Sequence, residues 1–163
     1  MCEDGLIIKG KKSKYLILFY DGVLNNKDFL KKDDTYNYVY SENILSLKYI
    51  VEKLEITDLI FGDCCHIYDR FFLDELLDQM VINKMYVNLK RTYNKYHDKS
   101  YDIENIINNE NLINNFVILG SFNDIYIYPF NSKYVKINKY IGLTNSDYDE
   151  IYKKFHLNCK QRE

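Results

Sequence analysis

The stretch "YLILFYDGVLNN", Tyr15 to Asn26, decides how the chain is read. Six apolar residues run without a polar interruption and stop at an Asp-Gly pair. A continuous run of that length suits a strand buried on both faces, the usual state of a strand inside a parallel sheet. The Asp-Gly pair then belongs to the loop at the strand's carboxyl end. Two similar runs follow in "DLIFG" (58–62) and "NFVILG" (115–120), each ending in glycine. "KMYVNL" (84–89) and "KYVKI" (133–137) alternate and have the character of edge strands.

Helical periodicity separates these runs. In "SENILSLKYIVEKL" (41–54) an apolar stripe runs through Ile44, Leu47, Tyr49, Ile50, Val51 and Leu54, with Ser41 as its N-cap. "DRFFLDELLDQMVI", from Asp69, and "YDIENIINNENLI", from Tyr101, repeat the pattern. The last helix is expected in "NSDYDEIYKKF", opened by a capping box between Thr144 and Asp147. Strands alternating with helices predict an α/β, three-layer Rossmann-like fold with a mainly parallel sheet. In such folds ligands sit beyond the carboxyl ends of the strands. The loops after Tyr20, Phe61 and Leu119 should therefore converge on the site.

At 163 residues the chain fits one domain, with its core at about 15–155 and short basic extensions. It has no Ala and no Trp, one Pro, nineteen Lys beside three Arg, and seventeen Tyr. That bias follows an AT-rich genome. A formal net charge of −2 gives no whole-molecule attraction for nucleic acid, so any such contact needs a local basic patch. Four cysteines without framework or C-x-x-C spacing point to a reducing compartment. No apolar run approaches the ~20 residues of a membrane span, and the first residues lack the order of a signal peptide. A soluble, cytoplasmic protein with no membrane contact is expected.

Taken in order, "LILFYDGVLNN", "NILSLKYIVEKLEITDLIFGDCCH", "KSYDIENIINN", "NNFVILGSFNDI" and "YVKINKYIGLTNSDYDEI" resemble the capless haloacid dehalogenase-like (HAD) phosphatases. More narrowly, they resemble the HAD domains of Swiss Army Knife RNA repair proteins. The resemblance runs from about Tyr15 to Phe155 and implies a phosphatase scaffold. It also implies that the site is degenerate. The family's nucleophilic, magnesium-binding Asp falls on Phe19, and a phenyl ring can neither attack phosphorus nor ligate a hard cation. Asp21 keeps the acid/base position. The phosphate-holding hydroxyl falls on Gly62, with Asp63 beside it. The paired magnesium acids fall on Gly120 and Ser121, with Asp124 nearby as a partial substitute. Lys99 fills the basic position. Loss of a nucleophile alone costs on the order of 10⁶ in rate, about 8 kcal/mol of barrier. No catalytic residue, metal ligand or cofactor is therefore expected. Asp21 has a purely structural reading as well, since an Asp before Gly commonly shapes a turn.

Basic and aromatic residues interleave in "NKMYVNLKRTYNKYHDK" (83–99), where Lys90, Arg91, Tyr93, Lys95 and Tyr96 could meet phosphates and unpaired bases. Lys11 and Lys12 form part of a second basic cluster. Such runs are also common as solvated faces in a Lys- and Tyr-rich chain. Cys64, Cys65 and His66 invite a thiol or zinc reading, with His97 and His156 as remote partners, but the spacing favours buried, inert cysteine. The expected function is a catalytically inactive HAD-like protein, a pseudoenzyme docking on a protein or an RNA-protein assembly such as the ribosome. Two alternatives stand beside it: a magnesium-dependent phosphohydrolase using Asp21, Asp63 or Asp124, and a nucleotide or phosphate sensor.

Overall fold

The structure is a computed structural model that describes residues 13–19, 21–26, 41–62, 88–91 and 99–157, with residues 88–91 described by backbone alone. Among the described residues five strands run in chain order: β1 (Tyr15–Leu18), β2 (Asp58–Phe61), β3 (Asn88–Arg91), β4 (Phe116–Gly120) and β5 (Tyr134–Lys136). Among the described residues three α-helices accompany them: α1 (Ser41–Leu54), α2 (Lys99–Glu110) and α3 (Tyr148–Phe155). The strands form one sheet in the order β3-β2-β1-β4-β5, and every neighbouring pair is parallel. The fold is thus α/β and Rossmann-like, as the alternation of runs predicts.

The sheet is covered on both faces. Leu16 and Leu18 point to one side, where Leu59, Phe61, Val117 and Leu119 join Ile44, Leu47 and Ile50 of α1 and Ile151 of α3. Ile17 and Phe19 point to the other, where Ile60, Phe116 and Ile118 meet Ile103 and Ile106 of α2. Period-two alternation explains how an unbroken apolar run serves both layers. Each such side chain contributes roughly 1.5–3 kcal/mol when fully buried.

Several boundaries differ from expectation. The strand expected at 84–89 reaches Arg91, and its first four residues lie outside the described residues. β1 is shorter than its apolar run, although Phe19 beyond its end is still buried, whereas β4 takes in all of Phe116–Gly120. α2 begins at Lys99, two residues before the expected start. Lys133 is not a strand residue. It ends a short 3₁₀ turn (Asn131–Lys133) and is fully buried. Its ammonium donates to Asn114 O (2.9 Å) and Lys154 O (2.7 Å), fastening the end of α3 to the entry of β4. The Thr144–Asp147 capping box forms as expected: Thr144 N donates to Asp147 Oδ2 at 2.9 Å. The helix expected from Asp69 and the side chain of Ser41 lie outside the described residues.

Candidate functional site

From β1 the chain builds outward through β2 to β3 in one direction, and through β4 to β5 in the other. The reversal falls between β1 and β4, whose Leu18 and Leu119 are register partners. Doubly wound folds place their ligands at the carboxyl side of this reversal. Phe19, Gly120 and Ser121 lie there, Gly62 lies one strand away, and Lys99 opens α2 above them.

Aromatic rings fill this position. Phe19 remains attached to the sheet, its N–H donating to Leu119 O at 2.9 Å, and it is 4% exposed. Its ring lies against the backbone of Gly62, where an added Cβ would approach ring carbons to under 3.0 Å. A second ring, Phe122, lies against Gly120 in the same way. The two rings meet edge to face at 5.1 Å and 86°, a favoured aromatic geometry. Tyr134 stacks on Phe122 at 5.1 Å and donates its hydroxyl to Phe122 O at 2.6 Å. Burial holds that hydroxyl well above its ordinary pKa, and the Asp124 carboxylate raises it further, so Tyr134 remains a neutral donor.

Lys99 is half-buried, with its ammonium 4.9 Å from the Phe122 ring centroid and 6.0 Å from that of Phe19. A cation at the first distance is held by the ring quadrupole. Phe19, Gly62, Lys99, Gly120 and Ser121 thus lie at one end of the sheet. The structure joins them through Phe122, which the sequence did not single out. A ring two residues beyond a strand, in "GSFND", carries no periodic signal.

Asn25 helps to close the Asp-Gly turn. Gly22 has φ +81° and donates its N–H to Asn25 Oδ1 at 3.2 Å. Asp21 is exposed, and its backbone carbonyl accepts Ser121 Oγ at 2.8 Å, tying the loop after β1 to that after β4. Beyond the turn, Asn26 Nδ2 donates to Asn43 Oδ1 at 3.1 Å. Asn43 in turn donates to Ile141 O (3.0 Å) and Leu143 O (2.9 Å). Leu143 N donates to Val23 O at 2.9 Å. "DGVLNN" and "IGLT" are thus stitched together through α1.

Asp124 opens an exposed 3₁₀ turn (Asp124–Ile127), capped by Asn123 Oδ1 accepting from Ile125 N. Among the described residues no three His, Cys, Asp or Glu side chains gather as a metal site. Two recesses occur elsewhere: one of about 520 Å³ at the amino end of the sheet, lined by Lys14, Asn115 and Phe155 among others, and one of about 710 Å³ along α3. His156 packs on Tyr152 at 4.4 Å. Asp63, Cys64, Cys65, His66, His97, Lys11, Lys12, Tyr93, Lys95 and Tyr96 lie outside the described residues. Lys90 and Arg91 are placed by backbone in edge strand β3, with Arg91 at its carboxyl end. No helix among the described residues is long and apolar enough to cross a membrane.

A scan against family models, a search of curated proteins and a search of solved structures each return no match.

Proposed function

We propose that this chain is a catalytically inactive, HAD-like domain of the cytoplasm that docks on a macromolecular partner, an RNA-protein assembly of which the ribosome is one example. The observation that carries this reading is the packing of Phe19 and Phe122 onto Gly62 and Gly120. Where the resemblance to HAD phosphatases calls for a nucleophile, a hydroxyl and a metal acid, this chain has a ring, a glycine that admits the ring, and a second glycine that admits another. Those substitutions are sterically matched, so they form a coherent apolar plug. Reaction chemistry at that point would need oxygen or nitrogen groups facing a substrate. Lys99, at the position where the resemblance places the base that neutralises a substrate phosphate, lies half-buried over the rings and, among the described residues, faces no polar pocket of the kind a reaction needs.

With its interior closed, the carboxyl end can act through its outer rim. Ile125, Tyr126 and Tyr128 are 66%, 58% and 71% exposed there, a cluster suited to a partner surface. Sedimentation of native lysate containing the tagged full chain tests docking. The chain should migrate with large particles at low salt and leave them as salt rises. Migration only as a free monomer at low salt would overturn the proposal.

A further inference from the structure

We propose that the carboxyl rim binds an unpaired RNA strand, an inference that rests on the docking reading and names the contact through which docking occurs. Cations and rings alternate along the rim. Tyr140 and Lys139 lie at one end, with the Lys139 ammonium 5.7 Å from the Tyr140 centroid. Lys139 also borders the turn at Gly22 and Ser121. Next comes Phe122 under the Lys99 ammonium, with Tyr126 6.5 Å beyond it. Tyr128 closes the row beside α2, its carbonyl accepting Ser100 Oγ at 3.0 Å. Tyr126, Tyr128 and Tyr140 are each about half exposed or more.

This pattern has the two components that sequence-tolerant single-strand binding uses. Exposed rings stack on bases, while nearby cations meet the phosphates between them. Duplex RNA fits poorly, because its bases are already stacked and its deep groove admits no side chain. The charge on the rim is modest. Among the described residues, the rim carries Lys99, Lys136 and Lys139 beside the exposed Asp21 and Asp124, an excess of one positive charge (three minus two). Stacking must therefore supply most of the affinity. With three phosphates neutralised, the salt slope for a single strand is about −2.

The test is anisotropy of a labelled, unstructured single-stranded RNA of about ten nucleotides titrated with the full chain. Tyr128→Ala should weaken binding at least about fivefold, the low end of a lost stacking ring. Lys139→Glu should weaken it and flatten the salt slope. Tyr152→Ala, exposed on α3 away from the rim, should bind as the parent does. Thermal unfolding of each variant confirms that it is folded. Absence of single-strand binding, preference for duplex, or parent-like affinity in folded Tyr128→Ala and Lys139→Glu would each overturn the proposal. The same variants in lysate sedimentation separate the two readings. If they still migrate with particles but RNA binding is absent, docking stands on a protein contact and the RNA surface falls. If the parent chain itself stays free, docking falls.

Discussion

At Gly62 an added methyl group would meet the Phe19 ring at under 3.0 Å, and at Gly120 it would meet Phe122. The glycines and rings are therefore coupled pairs. Gly62→Ala should overpack the site and cost about 1–3 kcal/mol, read as a lower urea midpoint. Phe19→Leu in the same chain should recover part of that loss, because a branched aliphatic leaves the methyl room. Additive effects of the two changes would contradict the coupling. Half of this arrangement is legible in the sequence, since Phe19 and Gly62 lie at the carboxyl ends of apolar runs. Phe122 is not, because its partners Gly120, Phe19, Lys99 and Tyr134 meet only once four elements, β4, β1, α2 and β5, have packed. Asn25, which closes the turn, was similarly overshadowed by the more suggestive Asp21.

Among the elements, the central strands announce themselves because burial on both faces demands unbroken apolar runs. Helix α1 is equally clear, with Ile44, Leu47, Ile50 and Leu54 all buried. Of the helix ends, that of α1 at Leu54 falls where its apolar stripe stops, whereas α2 ends at Glu110 although its pattern runs on to Ile113. Both α1 and α2 stop through a residue in the left-handed region, Glu55 (φ 57°) and Asn111 (φ 57°). Ile56 N then reaches back to Val51 O at 3.0 Å, and Leu112 N to Ile107 O at 3.0 Å. Glycine is the usual residue at such a position, asparagine is tolerated, and glutamate is strained. Neither stop carries the glycine that would have marked it. Glu55→Gly should therefore stabilise the fold by about 0.5–1 kcal/mol, measured by denaturant or thermal unfolding. The edge strands were placed less accurately, since β3 and β5 mix polar and apolar residues and have a neighbour on one side only.

Across the whole molecule, loops distant in sequence are held by buried polar groups whose partners no local pattern shows. Asn43 sits on a helix in "SENILS" and reads as a solvated side chain, yet it is 2% exposed and binds carbonyls about 100 residues away. Asn43→Ala should leave Ile141 O, Leu143 O and the Asn26 amide short of partners, at about 2–3 kcal/mol. A urea midpoint shifted down with unchanged slope would report this. A change below about 0.5 kcal/mol would mean that water replaces the amide. The same network holds the loops after β1 and β5 around the carboxyl end, which keeps the aromatic plug and its rim in one arrangement. The proposed loss of phosphatase chemistry is a claim at this scale, argued from the rings of Phe19 and Phe122 packed at the carboxyl end of the sheet. Turnover of a generic aryl phosphate by the purified full chain with magnesium tests that account most directly. We expect a rate equal to the buffer background, unchanged in Asp21→Asn. Magnesium-dependent turnover that disappears in Asp21→Asn would contradict it.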